Sequence, residues 1–191
     1  MQQIKQQELS KKYCETREQT VKLMEPLGIE DYLAQPSEEV SPPKWHLGHT
    51  TWFFETLILK EHLFNYSIFD SKFPFYFNSY YEGLGERIDR NSRGTLIRPP
   101  LPQVFKYRKH VDEQMTLLFQ KELSPAILEL IELGINHEQQ HQELFLTDFK
   151  KILALQAFQP AYLKDFKENW LRQETKNKWL EIESGLYKIG H

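Results

Sequence analysis

The residues most able to do chemistry are His137-Glu138-Gln139-Gln140-His141, set inside a long stretch with helical periodicity. Histidines four apart on an α-helix lie on one face, about 6 Å apart along the axis. Two neutral imidazoles so placed can reach one metal ion at about 2.0–2.1 Å. Both fall on the stripe Leu130, Gly134, His137, His141, Leu144, Asp148, Ile152 and Leu155, which the 3.6-residue period marks as the inner face. A metal needs a further ligand. His46 and His49 lie three apart on another helical stretch and face roughly one side. Trp52 and Phe53, one turn after His49, point to burial there. His46 reads either as a support for a ligand or as a surface group, and the isolated His62 and His110 read as surface residues. Three imidazoles without a thiolate suit Zn, Fe, Ni or Cu and leave positions open for a substrate or oxygen.

The elements that must position these groups are legible from the punctuation. A first helix is expected from about Ile4 to Met24, with Leu9, Tyr13, Thr20 and Leu23 on one face, stopped by Pro26 and Gly28. A second starts near Pro43, where the missing proline N–H costs nothing, and runs to about Leu63. Residues 65 to 100, rich in aromatics, prolines and glycines, read as one long loop carrying Arg87, Arg90, Arg93 and Arg98. A third helix follows from about Pro102 to Glu122, with Val104, Tyr107, Val111, Met115 and Leu118 as its stripe. The fourth opens at Ser124-Pro125 and runs to about Phe158. Beyond Pro160 the pattern changes: Trp179–Ile182 and Leu186–Ile189 alternate around Ser184-Gly185, which predicts two short strands.

Composition narrows the classes. The 191 residues are 40% hydrophobic and 27% charged, a globular balance. A net charge of −3 gives no general pull toward nucleic acid or an anionic membrane, and no stretch is long and apolar enough for a membrane span. One cysteine, Cys14, excludes an intramolecular disulfide framework. With no apolar leader at the N-terminus, the expectation is a cytoplasmic protein in a reducing compartment. The five residues from His137 also fit His-Glu-x-x-His, the zinc-protease pattern. No Gly-x-x-His continuation follows and no strand precedes the helix to hold a peptide, so that reading is set aside.

Three runs together carry a resemblance. Ser41-Pro-Pro-Lys-Trp-His-Leu-Gly-His-Thr-Thr-Trp-Phe-Phe-Glu55, Tyr80-Tyr-Glu-Gly-Leu-Gly85 and His137-Glu-Gln-Gln-His-Gln-Glu-Leu-Phe-Leu-Thr-Asp148 resemble the N-terminal DinB-like domain of the ergothioneine-biosynthesis sulfoxide synthases. The resemblance covers roughly residues 30 to 163. It implies an all-α, DinB-like four-helix bundle over residues 1–163, with the long loop between helices 2 and 3 and a short β-like C-terminal tail. Residues 164–191, ending Glu183-Ser-Gly-Leu-Tyr-Lys-Ile-Gly-His191, are similar to a linker and the start of that family's second domain, of the formylglycine-generating-enzyme type.

The family is an iron-dependent oxidoreductase. It binds non-haem Fe(II) through three histidines, which match His49, His137 and His141. It joins cysteine or γ-glutamylcysteine to trimethylhistidine (hercynine) with O2 and leaves a sulfoxide. Two family arginines that bind the thiol substrate's carboxylate match Arg90 and Arg93, counting back from Tyr107. The family glutamine beside the last ligand, which contacts trimethylhistidine, matches Gln140. Glu138 and Glu143 either hold ligand histidines or face water. The family's active-site tyrosine lies in the second domain, so catalytic residues are not assignable within these 191 positions. The expected partners are the small-molecule substrates and that second domain packed on the bundle, and without it the fragment is expected to be inactive and its long loop loosely held. Two other readings stand beside this one: a metal-dependent thiol transferase of the DinB-like group, and a helical interaction module with structural histidines.

Overall fold

The computed structural model describes residues 2–79, 85–164 and 178–189. Four long helical elements form the bundle, as the periodicity predicts. Helix α1 spans Gln2–Met24, α2 spans Pro43–Phe53, α5 spans Leu101–Phe119 and α6 spans Pro125–Ala154. Short α3 (Lys60–His62) and α4 (Phe73–Phe77) complete the set. Helix α1 packs on α6, α6 on α2, α2 on α5, and α5 back on α1, closing a square around one core.

Helix α2 is the inner member. Every residue from Val40 to Glu55 is buried, and a helix enclosed on all sides belongs at the centre of its fold. Pro43 opens it at the first helical position. Its continuation Phe54–Leu59 is π-helical, a widened turn of the kind often found at functional sites. That segment carries Glu55, fully buried. Its carboxylate accepts from the Tyr66 hydroxyl at 2.6 Å, the Tyr107 hydroxyl at 2.6 Å and the Phe69 N–H at 2.8 Å. Helix α5 buries the predicted stripe, Val104, Tyr107, Val111, Met115 and Leu118. Helix α6 starts as expected: the Ser124 hydroxyl accepts from the Ile127 N–H and Pro125 fills the first turn.

The inner face of α6 differs from the predicted stripe. The buried line is Leu128, Ile131, Gly134, Ile135, Glu138, Phe145, Phe149 and Ile152, while Leu144 and Leu155 are 42% and 59% exposed. The cause is Glu138. Its carboxylate accepts from Arg17 at 2.8 Å, from Thr20 at 2.6 Å and from Arg108, so α6 is turned to point a charged residue between α1 and α5. A carboxylate scores as polar in a hydrophobicity pattern, so the pattern misjudged the rotation. The turn moves His137 and His141 from the centre of the buried face to its edge, where both rings are half-buried.

The described parts of the stretch from 65 to 100, residues 65–79 and 85–100, are better held than expected. They contain α4 and a 3-10 turn at Arg90–Thr95. The Ile88 N–H donates to the Phe75 carbonyl at 3.0 Å, and the Gln35 amide donates to the Arg90 carbonyl at 2.7 Å. Tyr80–Leu84 of the quoted aromatic run lie outside the described residues. The two predicted C-terminal strands are not formed among the described residues: 178–189 is an exposed, unpaired segment. Alternating sequence makes a strand only where a neighbour pairs with it, and a lone hairpin is marginal. No described helix is long and apolar enough to cross a membrane.

Candidate metal centre

His49 projects from α2, and His137 and His141 from α6. One ring nitrogen of each lies within 4.8 Å of the others. The ring centroids are 5.0, 4.7 and 4.6 Å apart for 49–137, 49–141 and 137–141. The fold thus brings together the His137/His141 pair read from its spacing and His49, the third residue implied by the resemblance.

Each ring is fixed differently. His49 is stacked between Trp45, at 4.4 Å and 12°, and Trp52, at 5.6 Å and 15°. Its Nδ1 lies 2.6 Å from the Phe77 carbonyl. A carbonyl only accepts, so Nδ1 carries the proton and Nε2 keeps a bare lone pair. Gly48 makes this possible: a β-carbon there would overlap the Phe77 ring, and only glycine lets α4 approach α2 so closely. His137 lies against Phe53, at 4.7 Å and 30°. Gly134, where a β-carbon would come 2.7 Å from Phe54 and 2.9 Å from Phe53, lets α6 sit down on α2 at that level. The Nδ1 of His137 is buried without a hydrogen-bond partner among the described residues.

His46 also turns inward, and is 2% exposed. Its Nδ1 lies 2.9 Å from His141 Nδ1, and its Nε2 lies 3.2 Å from Asp148 Oδ2. The Ser41 N–H donates to the same carboxylate oxygen at 2.9 Å. Of the two sequence alternatives for His46, support of a ligand is the one its surroundings match. His62 is exposed, as expected, whereas His110 is partly buried against Tyr66 and Phe69.

Burial drives the electrostatics. It pushes His137 down to about 4, and it pushes His46, His49 and His141 below their usual value. The neighbouring rings push His49 and His141 down further. The four rings are therefore neutral near pH 7, the state in which imidazole can ligate. Three neutral nitrogens converging on one point, with an unsatisfied buried nitrogen on one ring, fit a divalent transition metal.

The predicted substrate contacts divide. The Arg93 guanidinium lies 3.3 Å from the centroid of Trp45, which in turn stacks on His49. Arg93 is buried and donates to the Ser41 hydroxyl at 2.9 Å and the Ser79 hydroxyl at 3.3 Å. Arg90 is exposed and donates to the Glu39 carbonyl. Gln140 is exposed on α6 beside His141, and Glu143 is exposed too. Glu138 neither supports a ligand ring nor faces water. Burial alone would raise its pKa, but Arg108 and Arg17 overcome this and hold it at about 2. A carboxylate locked between two arginines is not the general base of the zinc-protease pattern.

Asp148 was legible as a stripe residue but not as a partner, because His46 reaches it from a different helix. Residues 13–145 match the model of the DinB superfamily. No curated protein matches the chain.

Proposed function

Because the chain belongs to the DinB superfamily, a group of helical metal-binding domains, we propose that it is the Fe(II)-holding part of an O2-dependent sulfoxide synthase. The reaction joins cysteine or γ-glutamylcysteine to trimethylhistidine, working in the cytoplasm with a second, formylglycine-generating-enzyme-like domain that residues 164–191 lead into. The observation that carries the reading is the convergence of His49, His137 and His141 within 4.8 Å, built from the two long motifs that resemble that family.

The chemistry balances. A thiol R–SH, an imidazole C–H and one O2 give the C–S bond, the S=O bond and one water. Forming each of the two bonds removes two electrons from the organic partners, and O2 accepts all four. An Fe(II) ion held by the three histidines would supply the O2 activation. The chain's own residues do the rest. His49 and His141 offer Nε2 lone pairs because their Nδ1 atoms are engaged elsewhere. The rotation of α6 that buries Glu138 leaves Gln140 exposed beside the half-buried His141, where trimethylhistidine would lie. Arg93 brings a fixed positive charge close to the histidines, and a guanidinium suits an amino-acid carboxylate. Arg90, on the same turn, is the more accessible of the pair.

The test is ligand-dependent stabilisation of the full chain loaded anaerobically with Fe(II). Trimethylhistidine should raise the melting temperature of the loaded chain and leave the metal-free chain unchanged. A binder at 100 times its Kd adds about 2.7 kcal/mol. If trimethylhistidine has no effect while unrelated low-molecular-weight thiols stabilise the loaded chain, the thiol-transferase reading replaces this one.

A further inference from the structure

We propose that Asp148 and His46 are positioning residues for the metal site: they form a hydrogen-bonded relay that locks His141 in the tautomer whose Nε2 faces the metal. The inference rests on the metal-binding reading above and assigns work to two residues outside the three ligands.

The proton positions follow from the partners. Asp148 Oδ2 already accepts from the Ser41 N–H, so that oxygen acts as an acceptor. Asp148 Oδ2, 3.2 Å from His46 Nε2, therefore requires the proton of a neutral His46 on Nε2. That leaves His46 Nδ1 as a bare acceptor. His141 Nδ1, 2.9 Å from it, must then be the donor and carry the His141 proton. His141 Nε2 is left with a free lone pair. Every link has one allowed direction, so the carboxylate sets the tautomer of a ring it does not touch.

The relay is anchored at its far end. Asp148 accepts from the Ser41 N–H at 2.9 Å, at the entry to α2, so the carboxylate is fixed to the helix that carries His46 and His49. Asp148 and His141 are seven residues apart on α6, two turns or about 10 Å along one face, and the buried His46 ring fills the gap between them. His49 is handled on the same principle with a different acceptor, the Phe77 carbonyl. Two of the three proposed ligands thus have Nδ1 committed to a fixed acceptor, the usual arrangement behind a metal-bound histidine.

Zinc titrations of the full chain, in competition with a chromophoric chelator, test this. His46→Ala and Asp148→Ala should weaken zinc binding by about 10- to 100-fold, with Asp148→Asn, whose amide oxygen can still accept, falling between Asp148→Ala and wild type. His141→Ala should abolish binding and His62→Ala should leave it unchanged. Nitrogen-15 imidazole spectra of the metal-free protein supply a readout that loss of packing would not mimic. The wild type should show His141 protonated on Nδ1, and Asp148→Ala a mixture of tautomers. Zinc affinities of His46→Ala and Asp148→Ala within twofold of wild type would overturn the relay. So would loss of binding in His46→Ala as complete as in His141→Ala, which would make His46 a ligand. Failure of the metal reading is separate: there the wild-type chain itself binds no zinc.

Discussion

Replacing Glu138 by glutamine probes the feature that orients the whole site. The carboxylate is fully buried and meets Arg17 at 2.8 Å, Arg108 and Thr20. Glutamine keeps the shape but removes the charge, and it turns an amide N–H toward cations that need an acceptor. Arg17 keeps Asp112, at 2.6 Å, and Arg108 keeps the Arg17 carbonyl, at 2.8 Å, so the loss is partial but falls in the interior. Breaking a buried ion pair on one side costs about 3–5 kcal/mol. The ionisation of Glu138 leads to a similar size: a carboxyl held at about 2 rather than its usual 4.5 stabilises the fold by about 3 kcal/mol at neutral pH. For a chain of this length that is a drop of about 6–20 °C in melting temperature. The sign with pH is fixed. The folded value lies below the unfolded one, so the stabilisation is complete above about pH 4.5 and disappears as pH falls toward about 2. Thermal melts followed by circular dichroism, with and without the substitution from pH 7 down to pH 3, check it. The gap between the two proteins should narrow steadily below pH 4.5. A gap under about 1 kcal/mol at pH 7, or one that does not change with pH, would refute the claim that this carboxylate fixes the rotation of α6.

Other outcomes follow from the same packing. Gly48→Ala should lower stability by about 1–3 kcal/mol by overpacking against Phe77, and zinc affinity should fall with it; adding Phe77→Leu should recover part of both, a favourable coupling in a double-mutant cycle. Glu55→Gln, which breaks the acceptor shared by Tyr66, Tyr107 and the Phe69 N–H, should cost about 1–3 kcal/mol and leave zinc affinity unchanged. Arg93→Lys keeps the charge but loses the planar face on Trp45; it should weaken cysteine or γ-glutamylcysteine binding to the metal-loaded chain, read by calorimetry, more than it weakens trimethylhistidine binding.

Much of this was legible before any coordinates. The starts of α2 and α6 were written in Pro43 and in Ser124-Pro125, and the α5 stripe from Val104 to Leu118 is buried as its period requires. The histidine pair of α6 was visible because a four-residue spacing is a one-face spacing. What stayed hidden needed a partner from elsewhere in the chain. The inward turn of Glu138 depends on Arg17 and Arg108 from two other helices. The role of His46 depends on Asp148, 102 positions away. The alternation around Ser184-Gly185 predicted strands, but strand formation depends on a neighbour to pair with, and none pairs with it among the described residues.

The most direct test of the account is metal stoichiometry and affinity across the three proposed ligands. The 191-residue chain, stripped of metal and titrated anaerobically with Fe(II) and separately with Zn(II), should take up one equivalent of either ion. His49→Ala, His137→Ala and His141→Ala should each abolish that binding while keeping wild-type helix content, and His62→Ala should bind as the wild type does. Retention of wild-type affinity in any one of the three ligand variants would contradict the claim that these histidines together form the metal centre.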